Sequence, residues 1–267
     1  APVFTGAARV PPELIPATLA QSSLAPSLAT NFAGLGDPGT VIPPDTMGAI
    51  GPSHFLSVLN SGVGIFNRFT GTKISETTLS VFWGSLVPIR VFDPKVLYDQ
   101  YSGRFVIVTL DGTSPPNSRL LLAVSATSDP TGVWNRWAIA SNQDNTSNWA
   151  DFPGLGIDNN NVYITANMFN SGDSYQYSKV WVIPKGQLLS GSGTFTRTEF
   201  SNPSGSGFTM QPAHAYGYTS TQYLLHEGYY ISGPPIRRFI RIAGISSPAG
   251  SPVWTDLGYV EVSGYPS

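Results

Sequence analysis

Three features of this 267-residue sequence predict an all-β fold of repeated antiparallel sheets. Short runs rich in β-branched and aromatic residues alternate apolar with polar positions, Gly/Pro/Asn turn signals separate the runs, and one block of sequence recurs four times. Gly (28) and Pro (23) are abundant while charged residues are only 11%, which disfavours long amphipathic helices. The 41% apolar content is enough for a sizeable core. The same composition excludes several classes of function. With 14 Lys and Arg and a net charge of −2, no face is basic enough to neutralise phosphates, so no nucleic acid is expected as a partner. There is no cysteine, hence no disulfide framework and no thiolate metal site. No run approaches the ~18 apolar residues of a membrane span.

Residues 1–40 are punctuated by Pro11-Pro12, Pro16, Pro26 and Pro38 without sustained periodicity, and predict an extended N-terminal arm lying over the main body. Residues 41–267 form the domain proper. Within it four openers, Asp45, Asp93, Asp151 and Gln211, are each followed by a short strand, a turn and an aromatic that begins a second strand: Phe55, Phe105, Tyr163 and Tyr223. The last three blocks share an opener-to-aromatic spacing of 12 residues, and the first has 10. Block two continues through strands at 104–110, 120–126 and 133–139; block three has 155–157, 162–168, 179–183 and 194–200. Block four is expected to supply 213–216, 223–226, 238–243 and 254–260. One helical turn is expected near Pro184–Leu189. Four antiparallel strands per repeat of about 50 residues define the blade of a β-propeller. A large sandwich would not repeat its polar opener at this spacing.

The runs Pro43-Pro44-Asp45-Thr46-Met47-Gly48, Phe92–Asp99, Ser125–Trp134 and Gln211–Gly217 resemble those of a group of secreted bacterial proteins expected to be propellers. The similarity covers about residues 40–262 and lies in structural motifs. It implies fold and an extracellular or cell-envelope location rather than an activity. Members of that group continue into further propeller sequence, and four blades rarely close a ring. The resemblance therefore implies a piece of a larger ring, its open flanks covered by the arm, the rest of a longer propeller, or other protein chains.

In a propeller the first strand of each blade lines the axis, so Asp45, Asp93, Asp151 and Gln211 should converge near one mouth, with His214 close by. Converging carboxylates can bind a hard cation such as calcium through oxygen, serve as the acid/base pair of a glycosidase, or simply cap the blade-entry turns. Weaker candidates are the Asp158–Asn161 tract, expected to be a hairpin turn, and Thr127–Trp134, similar to the Asp-box turn of sialidase propellers. The polar stretch Asn142–Trp149, which includes the sequon Asn145-Thr146-Ser147, is a candidate rim loop. His54, His214 and His226 lack metalloprotease spacing, and no nucleophile elbow, dinucleotide loop or P-loop occurs. Tyr175, Tyr177, Tyr229 and Tyr230 are candidates for stacking on sugars or a protein. Two functions follow: an extracellular binding or structural module that assembles with other chains or a surface glycan, or a carbohydrate-active enzyme using Asp45, Asp93 and Asp151. The enzyme requires two of Asp45, Asp93 and Asp151 bare in an open pocket, one of them with a raised pKa; the module requires all three engaged with backbone amides.

Overall fold

The computed structural model describes residues 30–113, 117–144, 146–226, 228–231, 237–246 and 251–262. The chain winds up and down through four antiparallel sheets. Blade 1 is β1 (Met47–Ile50), β2 (His54–Leu59), β3 (Gly62–Asn67) and β4 (Lys73–Thr78). Blade 2 is β5 (Val91–Asp99), β6 (Arg104–Asp111), β7 (Arg119–Ser125) and β8 (Trp134–Ala140). Blade 3 is β9 (Trp149–Ile157), β10 (Asn161–Phe169), β11 (Tyr175–Pro184) and β12 (Thr198–Ser201). Blade 4 is β13 (Gln211–Pro212), β14 (Thr221–His226), β16 (Arg237–Ser246) and β17 (Val253–Val262), with a two-residue β15 (Tyr230–Ile231) pairing the start of β16. The innermost strands β1, β5, β9 and β13 neighbour one another in that order. This is the propeller architecture expected from the repeats.

Two elements differ from the expectation. The first strand of blade 4 ends at Pro212, because beyond Ala213 the carbonyls of Ala215 and Gly217 accept hydrogen bonds from the Tyr101 hydroxyl instead of a strand partner. The expected helical turn is present as α2 (Lys185–Leu189), but a second short helix, α1 (Leu79–Phe82), joins blades 1 and 2 together with a 3-10 turn at Gly84–Leu86. Its start is set by Thr78, whose hydroxyl accepts from the Val81 amide at 3.2 Å.

Blade-on-blade packing follows the two-residue period. Along β6, Val106, Val108 and Leu110 face blade 3, while Phe105 and Ile107 face blade 1; β7 divides Leu120, Leu122 and Val124 from Leu121 and Ala123 in the same way. A blade covered on both faces must be apolar at every position, which is why blade 2 reads as nearly continuous hydrophobic sequence. Blade 3 meets blade 4 through Tyr163, Val180 and Val182 against Leu224, Ala243 and Ile245. The buried lysines are paired: Lys185 Nζ lies 2.9 Å from Asp99 of blade 2 and over the Tyr101 ring. Towards the axis the backbones nearly touch, and a Cβ on Gly156 would fall 2.4 Å from that of Pro212.

The flank of blade 1 that faces away from blade 2 carries Phe55, Ser57, Gly64 and Phe66. The described end of the arm lies on it: Phe32 packs against Phe55 and Phe66 at 5.8 and 6.1 Å between centroids, and the Leu35 amide donates to Ser57 Oγ. The rest of the arm, through residue 29, lies outside the described residues. The far face of blade 4 displays Tyr223, Val253, Leu257 and Val260, each about half exposed. Among the described residues no comparable contact joins β13 back to β1. Gly156→Val should lower stability by about 1–3 kcal/mol through overpacking against Pro212, measured by urea denaturation; an unchanged midpoint would contradict the close axial approach.

Candidate functional site

The site begins with a backbone irregularity at the start of the innermost strands. Asp45, Asp93 and Phe152 all have left-handed backbones, with φ of 46°, 52° and 51°. Each has proline beside it: Pro44 before Asp45, Pro94 after Asp93 and Pro153 after Phe152. The register of β5 on β6 shifts between Phe92 and Lys95, and that of β9 on β10 shifts opposite Phe152 and Pro153. These are β-bulges, which turn side chains away from the regular ladder. In blade 3 the left-handed residue falls one position later, so Asp151 precedes it.

The outcome is convergence. The Asp93 carboxyl hydrogen-bonds those of Asp45 and Asp151, bringing three of the four openers together, all half-buried. Burial first, then the hydrogen bond to Asp45 and the charges of Asp151 and Asp45, push the Asp93 carboxyl up to about 7. Burial also raises Asp151. The Phe152 amide donates to Asp93 Oδ2 at 3.3 Å. A carboxyl that keeps its proton near neutral pH beside two others is the arrangement from which acid/base chemistry is built.

Three residues not singled out in the sequence complete the mouth. Asn60, buried at the turn between β2 and β3, donates from Nδ2 to Asp45 Oδ2 at 2.6 Å and to the Pro43 carbonyl at 2.9 Å, while its Oδ1 accepts from the Asp93 amide at 2.7 Å. It thereby fixes the carboxylate of blade 1 to the backbone of blade 2. Phe152 leaves its ring 44% exposed beside the carboxyls, with Lys95 Nζ 5.3 Å from its centroid. The sequence signal for Phe152 was the bulky residue before Pro153; Asn60 reads as an ordinary turn residue.

The remaining sequence candidates fall elsewhere. Gln211 lies between blades 3 and 4 with its side-chain oxygen towards Gly154, and its amide nitrogen is buried without a partner. His214 does not join the carboxyls: it lines a cleft with Leu97–Tyr101 and Ile157, the opposite ends of β5 and β9. Six residues of strand separate the two ends, about 20 Å at 3.3 Å per residue. Among the described residues no group of three or more His, Asp or Glu is arranged to hold a metal ion.

Several motifs hold structure together. Asp158 Oδ1 accepts from the Asn160 and Asn161 amides, and its other oxygen accepts from the Tyr163 hydroxyl, closing the expected hairpin. Asp129 caps the Thr131 amide in the Asp-box-like turn. The stretch expected to be a rim loop is tied inward: Asp144 binds Lys179, which is fully buried, and Lys179 also meets Glu199 at 2.8 Å. Burial pushes Asp144 up, but the Tyr177 and Thr146 hydroxyls and the Lys179 charge outweigh it and hold the carboxyl at about 2. Tyr177 is thereby engaged; Tyr175 packs on Phe208, and Tyr229 stacks on Phe239. His226 faces the Gly205 carbonyl at 2.9 Å. Asn145, Glu227 and the Tyr230 side chain lie outside the described residues.

No protein-family model and no curated protein matches the chain. Among solved structures it is similar to a GH43 endo-arabinanase from Bacillus licheniformis, at 14% identity over 82% of this chain and 79% of the other, with a TM-score of 0.43. It is similar to an exo-β-1,3-galactanase from Clostridium thermocellum, at 12% identity over 80% of this chain and 48% of that one, with a TM-score of 0.45. A third is a GH43_1 enzyme from Xanthomonas citri complexed with xylose, at 10% identity over 80% and 73% of the two chains, with a TM-score of 0.40.

The two most strongly shifted carboxyls give opposite pH signatures. Asp93 has a folded pKa above its unfolded value, so its ionisation weighs against the fold: stability should fall as pH rises from about 4 through 7. Asp93→Asn should flatten that slope in urea titrations. Asp144 is depressed, so its contribution is complete above about pH 4 and is lost as pH falls towards 2. Lys179→Met, which strands Asp144 and Glu199, should cost about 3 kcal/mol at neutral pH and shrink the acid-side loss.

Proposed function

We propose that this propeller is a carbohydrate-active protein that cleaves glycosidic bonds by acid/base catalysis at the mouth formed by Asp45, Asp93 and Asp151. The observation that carries this is the shared hydrogen bonding of the three carboxyls, with Asp93 raised to about 7. Glycoside hydrolysis needs one carboxyl that donates a proton to the leaving oxygen and another that acts on the opposite side of the bond, as base for water or as nucleophile. Asp93 is set to carry a proton near neutral pH, and the carboxylates of Asp45 and Asp151 flank it. A proton delivered from the cluster to the glycosidic oxygen leaves with the alcohol, and the proton taken from water restores it. The exposed Phe152 ring offers a face on which a sugar can stack beside the reacting groups. Asn60 holds Asp45 and Asp93 at fixed separation without touching substrate.

A second reading, the binding or structural module, is favoured by the Phe152 amide bonded to Asp93 and the Asn60 clamp, both of which let the carboxyls serve as ties between blades. Activity separates the two. Reducing-sugar release from linear arabinan, β-1,3-galactan and xylo-oligosaccharides should be detectable on at least one. Asp93→Asn, Asp45→Asn and Asp151→Asn should each lower kcat at least a hundredfold, while Asn60→Ala should shift the pH–rate profile. A well-folded protein without hydrolysis of any glycan would leave the module reading standing, and an Asp93→Asn variant as active as the parent would remove Asp93 from the mechanism.

A further inference from the structure

The axis has a second mouth, at the far end from the carboxyls. Beyond Pro212 the chain follows an irregular path through residues 213–218 across this end. It is held by two side chains: the Tyr101 hydroxyl donates to the carbonyl oxygens of Ala215 and Gly217, at 3.0 and 2.7 Å, and Gln222 Nε2 donates to that of Ala213 at 2.7 Å. Tyr101 is itself fixed by Lys185, whose Nζ lies 4.8 Å from the ring centroid and pairs with the buried Asp99. Ala213 and Ala215 are half-buried in this segment, whereas His214, Tyr216 and Tyr218 are turned to solvent. Tyr216 is 83% exposed and Tyr218 82%, and His214 is exposed beside them. The His214 and Tyr216 rings stand 6.3 Å apart, the spacing of alternate residues along an extended chain. Next to them is a cleft lined by Tyr98, Gln100 and Tyr101.

Large rings are ordinarily spent in the core, so rings presented this way on an anchored segment mark a contact surface. Its chemistry limits the ligand. The one carboxylate lining the cleft, Asp99, is buried and paired with Lys185, and the lining itself offers aromatic faces, one exposed amide at Gln100 and an imidazole, with the Arg104 guanidinium acting on Tyr98 at its edge. Flat rings stack on the C–H faces of pyranose and furanose sugars, and the amide and imidazole can meet their hydroxyls.

We propose that His214, Tyr216 and Tyr218 form a non-catalytic binding platform for a neutral polysaccharide chain, at the mouth opposite the carboxyls. Such a platform holds the protein on polymer whether or not the carboxyl mouth hydrolyses it.

Native affinity electrophoresis of the full chain tests this, with linear arabinan, β-1,3-galactan or xylan cast in the gel and anionic polygalacturonate as the contrast. At least one neutral polymer should retard the parent protein. The Tyr216→Ala/Tyr218→Ala double variant should bind at least tenfold more weakly; because both side chains are over four-fifths exposed, its melting temperature should be unchanged. No retardation by any neutral polymer, retardation by polygalacturonate alone, or a double variant retarded as strongly as the parent would each overturn the proposal. Retardation that depends on the tyrosines in a protein that releases no sugar would uphold the platform and remove the hydrolase reading.

Discussion

The left-handed bulge at the start of the innermost strands is the constraint from which the site follows. A regular ladder would keep Asp93 and Asp151 in the alternation of their own sheets, pointing into the packed spaces between blades. There an unpaired carboxylate is prohibitively costly. Turning the backbone through φ near +50° releases the side chains from that alternation, and the three carboxyls meet one another instead of the core. Burial first, and then their proximity, raises the proton affinity of the central one. Backbone geometry comes first and the electrostatics follow from it.

The same economy governs the rest of the chain. Few charges are present, and the buried cations and most buried carboxylates sit in ion pairs that join one blade to the next or fasten a loop: Lys185 with Asp99, Lys179 with Asp144 and Glu199, Arg119 with Asp111. Each removes a charge from water only where an opposite charge and hydrogen bonds await it. The blades themselves hold by apolar faces divided residue by residue between neighbours, so that one strand such as β6 serves two interfaces. Blade 4, with a neighbour on one face, shows what that division leaves on the other.

Much of this was legible in the sequence because a propeller repeats. Alignment of the four blocks placed Asp45, Asp93 and Asp151 at equivalent positions, and the structure brings them together even though the bulge in blade 3 arrives one residue late. Repetition is silent about what happens between blades. Asn60 is a turn residue by every local criterion; its importance comes from reaching across to Asp93, a contact 33 residues away. His214 was placed with Gln211 by closeness in sequence, yet an innermost strand crosses the whole axis in a few residues, and His214 belongs to the other end. The strand expected at 213–216 was lost for a related reason: its alternation is real, but it presents rings to solvent rather than to a neighbouring sheet. Helix α1 lies in the link between two repeats, where a single threonine cap was the sole cue.

Phe152 sets stability and chemistry against each other. A bulky residue held left-handed stores about 1–3 kcal/mol of strain, and glycine at that position would adopt the same backbone without it. Selection for heat resistance alone would therefore favour removing the aromatic ring from the mouth and loosening the backbone that carries the amide to Asp93. Phenylalanine there keeps the ring at the mouth at that cost. Attempts to harden this scaffold are best directed to the outer strands, where conformational freedom can be reduced without disturbing the proton shared at the axis.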